Sequence, residues 1–96
     1  MAGLWLSEVA ETDLDVITDH IACDDPLAAV RMRDQIEQRI ELLVDQPRLG
    51  RRGRIAGTRE MVLSGTPFIV VYRPYRDGVL ILRVLHGARR WPPPDR

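Results

Sequence analysis

The apolar positions of this chain change period once, and the change falls at Pro47. Before it they recur at helical spacing; after it they recur at every second residue, which is the signature of strands. A chain built this way must pair a helical layer with a sheet.

The helical part divides in two. Ser7 stands where an N-cap belongs, with Glu8 and Glu11 in the first turn on the positive end of the helix dipole. Ala10, Leu14, Ile17 and Ile21 form its apolar stripe, and Asp13, Asp15 and Asp19 fall mostly away from it. Asp25-Pro26 then predicts a second start, the acid as cap and the proline in the first helical position. Its stripe is Ala29, Met32, Ile36, Ile40 and Leu43. Two amphipathic helices across a short acidic loop make an antiparallel hairpin.

Residues 3–6 read as a first strand, and residues 58–63, 68–73 and 79–86 as three more. Ser64-Gly65 supplies one turn and Asp77-Gly78 a type I′ hairpin signal. Pro74 lacks a ladder donor and marks a strand end. The order β-α-α-β-β-β predicts an α+β fold, an N-terminal helical hairpin packed on one face of a small antiparallel sheet. Ninety-six residues make one domain over 1–96: a first strand at 1–6, the hairpin at 7–46, a basic loop and three-strand meander at 48–90, and an extended proline-rich tail at 91–96.

Alternation sorts the strand residues into two sets. Phe68, Val70 and Tyr72, with Leu80, Leu82 and Val84, are wholly apolar or aromatic and are expected to meet the helices. The opposite set is Ile69, Val71, Arg73, Val79, Ile81, Arg83 and Leu85, joined by Arg59, Met61 and Leu63. It is too apolar for water and too rich in arginine for a closed core. Such a band marks a partner site.

Charge follows the same boundary. Residues 1–47 carry eleven acids against Arg31, Arg33 and Arg39, a net −8; residues 48–96 carry eleven arginines against Glu60, Asp77 and Asp95, a net +8. There is no lysine. Arginine suits phosphate and carboxylate with its planar fork but does not readily give up its proton. The basic half therefore reads as a surface for an anionic partner, short of general bases. One cysteine, Cys23, excludes an internal disulfide, and one Cys with two scattered His gives no zinc spacing. No run approaches a membrane span and the N-terminus lacks a signal pattern, so the expectation is a small cytoplasmic protein with no cofactor, no metal and no membrane partner.

Three stretches then carry a resemblance: Gly57-Thr-Arg-Glu-Met-Val-Leu63, Pro67-Phe-Ile-Val-Val-Tyr-Arg73 and Ile81-Leu-Arg-Val-Leu-His-Gly-Ala-Arg-Arg-Trp91. Together with the helical start they resemble the RelE/ParE superfamily of toxins in bacterial type II toxin–antitoxin systems. The resemblance covers essentially the whole chain and implies growth arrest, a role in plasmid stabilisation, and neutralisation by a cognate antitoxin in a hetero-oligomeric complex. Operator DNA would be met only through that antitoxin. ParE-like members inhibit DNA gyrase without bond chemistry; RelE-like members cut mRNA on the ribosome. A third reading is a non-toxic binding module of the same fold.

Metal-free RNA cleavage needs a base, cations around the phosphate and an acid for the leaving oxygen. Arg59, Arg73, Arg83, Arg89 and Arg90 can serve the phosphate. Glu60, Tyr72, Tyr75 and His86 are the proton-transfer candidates of the basic half, and a nuclease would rest on His86, Arg89, Arg59 and Arg83. RelE-like enzymes carry an arginine in the strand that ends in Val-Tyr; Ile69 stands there instead. This favours the gyrase-directed branch, leaning away from an enzyme. The antitoxin- or target-binding candidates are Arg54, Arg59, Arg73, Arg83, Arg89, Arg90, Ile69, Val71 and Ile81. The run Arg48, Arg51, Arg52 and Arg54 suits phosphate, an acidic antitoxin segment, or solvent. Arg59, Arg73 and Arg83 share one face by strand parity, although such arginines also flatten onto sheets and pair with acids such as Glu60 for structure alone. His20 and Cys23 read as surface residues among acids, and Trp5 and Trp91 as packing residues or as stacking surfaces for bases.

Overall fold

The computed structural model describes residues 3–87 and 91–92. Strand β1 (Leu4–Leu6) leads into helix α1 (Glu8–Ala22) and helix α2 (Pro26–Asp45). Strands β2 (Arg51–Arg52), β3 (Arg59–Val62), β4 (Phe68–Tyr75) and β5 (Gly78–His86) follow. The sheet runs in the order β1-β5-β4-β3-β2, with every neighbouring pair antiparallel except β1, which lies parallel to β5. Two helices on a five-stranded mixed sheet give the α+β architecture anticipated from the sequence. The parallel edge arises because the helical hairpin carries the chain away from β1 before it returns to the sheet.

Local chemistry sets both helix starts. Ser7 Oγ accepts from the Ala10 backbone N–H at 3.0 Å and donates to the Leu82 carbonyl at 3.0 Å, so one hydroxyl caps α1 and ties it to β5. Asp25 accepts from the Ala28 N–H at 3.1 Å, with Pro26 in the first helical turn. Arg39 of α2 donates to the Ser64 carbonyl in the β3–β4 turn. The helix stripes meet the sheet in a core that includes Leu14, Ile36, Ile40 and Leu43 from one layer and Leu63, Phe68, Val70, Tyr72, Val79, Ile81 and Val84 from the other.

That list corrects the expected faces. Val71 pairs with Arg83 but Tyr72 pairs with Ile81, so Leu82 is an extra residue, a bulge in β5. The bulge reverses parity, and Val79 and Ile81, rather than Leu80 and Leu82, face the helices. Ile81 is therefore fully buried core and not a binding residue. Likewise, β3 pairs Met61 with Val70 and Arg59 with Tyr72. Arg59, Met61 and Leu63 belong to the helix-bearing face, and Glu60 and Val62 to the open one.

The β4–β5 hairpin differs in detail from its sequence signal. Tyr75 pairs with Gly78, so the two turn residues are Arg76 and Asp77, and Arg76 takes φ 52°. Gly78 is required for a different reason: a Cβ there would lie 1.9 Å from the Gly3 carbonyl oxygen, which accepts from Val79 N–H. Strand β4 also runs through Pro74, which pairs with Val79. No β3 residue is paired opposite Pro74, and a strand tolerates proline on such an unpaired side.

Candidate functional site

The open face of the sheet is the face without helices. Its described residues include Glu60 and Val62 from β3, Ile69, Val71 and Arg73 from β4, and Leu80, Arg83 and Leu85 from β5. Val71 and Leu85 are buried there, so the chain itself already covers part of this face. Val62 is 55 % exposed, Ile69 is half-buried and Arg73 is exposed. The accessible part includes an apolar pair, Val62 and Ile69, in register across β3 and β4, and further along β4 the cation Arg73 opposite half-buried Leu80.

Glu60 is fully buried, and this was not legible from its position in a basic segment. Its carboxylate accepts from the Arg54 side chain at 2.8 Å and from the Arg54 backbone N–H at 2.9 Å; Arg51 stands at 3.5 Å. Strand β2 exists because of this clasp: Arg51 pairs with Glu60 and Arg52 with Arg59. The Arg54 guanidinium holds the Glu60 carboxyl below the ordinary carboxylate range, against the opposing effect of burial. A carboxylate so held is a poor proton acceptor. Arg54, a binding candidate by sequence, is the brace of its own loop.

The sign of the Glu60 shift fixes a pH dependence. Its folded pKa is depressed, so its stabilisation is complete above about pH 4.5 and is lost as pH falls through the folded value. Thermal melts over roughly pH 3–7 should show Glu60→Gln with a flatter acid slope than wild type. An identical slope would mean that the clasp carries no linkage.

Tyr72 is also buried and structural. Its hydroxyl donates to the Pro47 carbonyl at 2.7 Å and accepts from Gly50 N–H at 2.9 Å. Burial pushes its phenol above the ordinary tyrosine range, which removes it as a base near neutrality. Arg59 donates to the Gly50 carbonyl at 2.7 Å, so both side chains pin the segment after α2 to the sheet.

Arg83 starts on the open face and is received at the outer edge of β5. Asp13 of α1 accepts from its Nε at 2.7 Å and its terminal nitrogen at 2.9 Å, and from Val84 N–H at 2.9 Å. Strand β1 pairs only as far as Ile81, so Asp13 occupies edge positions that β1 leaves open. Arg83 also lies 5.5 Å from the Trp91 ring centroid.

His86 pairs with Phe68 on the helix side, their rings edge-on at 6.0 Å. With Asp13, Ile17, His20, Phe68 and Val84 it lines a mainly apolar groove of about 320 Å³. Arg59 sits opposite Tyr72, four residues along β4 from Phe68, or about 13 Å at the ordinary strand rise. The described members of the nuclease set do not converge: His86 and Arg59 share a face but lie at opposite ends, and Arg83 is clasped at the sheet edge. Arg89 and Arg90 lie outside the described residues.

The remaining candidates fall on the surface. Arg73 lies 5.2 Å from the Tyr75 ring centroid, Arg76 lies 5.3 Å from it, and Trp5 meets Tyr75 edge-on at 5.3 Å. Trp5 thus packs in part, as its strand position suggested. His20 and Cys23 are exposed. Among the described residues no cluster of three or more His, Cys, Asp or Glu is arranged to hold a metal ion, and no helix is long and apolar enough to cross a membrane.

The family model described as "ParE toxin of type II toxin-antitoxin system, parDE" matches residues 4–91. The chain belongs to the ParE toxin family. A relative from Sinorhizobium fredii, "Putative toxin Y4kP", is 46% identical over 79 residues, covering 82% of this chain and 81% of that one. "Toxin RelE2" from Caulobacter vibrioides is 35% identical over 80 residues, covering 83% and 89%. A solved structure described as "Chromosomal ParDE TA system from P. aeruginosa" superposes with a TM-score of 0.80 at 28% identity, covering 90% of this chain and 96% of that one. The ParE-family chain is thus a toxin of a type II toxin–antitoxin system, with the helix-on-sheet fold of that structural neighbour.

Proposed function

We propose that this toxin arrests growth by binding DNA gyrase through protein contact, without bond chemistry, and that a cognate antitoxin neutralises it by covering the open sheet face. The observation that carries this reading is the character of that face. Its accessible positions include the apolar Val62 and Ile69 with Arg73, and its one carboxylate among the described residues, Glu60, is buried and clasped. Apolar anchors beside an exposed arginine suit a protein partner, where a few buried residues supply most of the affinity. The ParDE description of the structural neighbour supports an antitoxin as that partner.

Purified toxin should block gyrase-driven supercoiling of a relaxed plasmid in a dose-dependent way, and added antitoxin should restore it. Supercoiling that proceeds at saturating toxin would refute the gyrase reading. The second reading, ribosome-dependent mRNA cleavage, is favoured by the name of the Caulobacter relative and by the exposed His86.

A further inference from the structure

Strand β2 is only two residues long, and its two arginines point to opposite sides of the sheet. Arg51 faces Glu60, a complementary pair. Arg52 faces Arg59, two cations directly opposite each other in an antiparallel ladder, an arrangement that is destabilising by itself. Among the described residues, the Arg59 side chain gives one N–H to the Gly50 carbonyl and forms no ion pair, and the Arg52 side chain has neither a hydrogen bond nor an ion pair. The one acid in this segment is on the other face, already engaged by Arg54 and Arg51.

A pocket of about 360 Å³ lies beside this pair, lined by Arg52, Gly53, Gly57, Thr58, Arg59 and Pro74 among others, with no acidic residue in its wall. Gly57 has φ +82° and nothing within 4 Å of where a Cβ would stand, so backbone turns openly at the pocket rim. Left-handed turns of this kind help to form the concave N–H nests that receive anions.

We propose that the Arg52–Arg59 pocket binds a tetrahedral oxyanion, a phosphate. Two cations held in opposition by the ladder are stabilised by one anion placed between them. The ligand's geometry follows from the donors. A carboxylate brings one charge and two coplanar oxygens, whereas a phosphate brings up to two charges on a tetrahedron of oxygens, so it can take one fork on each of two sides and still accept from backbone N–H. The site lies on the helix-bearing side of the sheet, away from Val62 and Ile69, and is independent of which target the toxin strikes. The phosphate is either the free ion or one carried by a nucleic acid.

The test is an amide NMR titration of the toxin with inorganic phosphate, at ionic strength matched with sodium chloride. Saturable shifts at Gly53, Gly57 and Thr58 are expected. In Arg52→Gln they should require about 10- to 100-fold more phosphate, the loss of one charge-assisted fork. Arg52 is exposed, so this variant should keep the wild-type spectrum elsewhere. Arg48→Gln, outside the pocket, should titrate as wild type. No saturable shift in wild type, equal shifts with chloride alone, or an unaltered Arg52→Gln titration would each overturn the site. A dinucleotide with and without a 5′-phosphate separates the sources. Binding of the phosphorylated form tighter than the free ion assigns nucleic acid, equal or weaker binding assigns the ion, and both support the pocket.

Discussion

Asp13→Ala is expected to destabilise the fold by about 3 kcal/mol, because it removes one partner of a nearly buried ion pair. The Asp13 and Arg83 side chains are 12% and 17% exposed, and Asp13 also accepts from the Val84 N–H. Without the carboxylate, the Arg83 charge keeps, among the described residues, only its contact with the Trp91 ring, and an edge amide of β5 loses its acceptor. Urea unfolding should show a lower midpoint at unchanged slope, and the melting temperature should fall by roughly 10–20 °C for a domain of this size. Asp15→Ala is the internal control. It breaks the Asp15–Arg33 pair, whose side chains are 65% and 34% exposed, and should cost less than about 1 kcal/mol. Equal effects of the two substitutions would show that the edge clasp does not hold α1 to the sheet.

The second large effect is on binding rather than stability. Val62 and Ile69 are paired across β3 and β4 on the open face and are not part of the central core. Val62→Asp with Ile69→Asp should therefore leave the fold intact while placing two charges in the proposed apolar contact. If these residues anchor the antitoxin, its affinity should fall by about 100-fold or more, measured by calorimetry with the product of the neighbouring gene. Val30→Asp, at a 58% exposed site on α2, should leave that affinity unchanged. Undiminished binding by the double variant would move the antitoxin off this face.

The pattern of success and failure in the sequence follows the range of the interactions involved. Ser7, Asp25 and Pro26 declared both helices because capping is decided within three residues. The helix stripes were readable for the same reason. The bulge at Leu82 was not, since β5 is apolar on both parities and alternation cannot choose between Leu80 and Ile81. What decides it lies far away in the chain: Ser7 binds the Leu82 carbonyl and Asp13 the Val84 amide, across more than seventy residues. The register of β3 hung on turn length. The Leu63 N–H bonds to the Phe68 carbonyl, so the loop spans four residues and Arg59 turns toward the helices.

For the site, the abundance of cation and scarcity of base were legible in composition alone. The pairing of those cations was not. Glu60 and Asp13 each consume an arginine that the sequence left available for a ligand, and only the folded chain brings Arg83 to a carboxylate seventy residues earlier. The charge division between the halves is thus partly healed within the fold, and Arg52 and Arg73 remain without an acid among the described residues.

The central claim is that this toxin acts by contact and cuts nothing. Its most direct test is incubation of purified toxin with ribosomes programmed with a defined mRNA, followed by mapping of 5′ ends. Full-length mRNA is the predicted result, at toxin concentrations that stop gyrase. New ends within the codon at the decoding site, abolished by His86→Ala, would contradict the account.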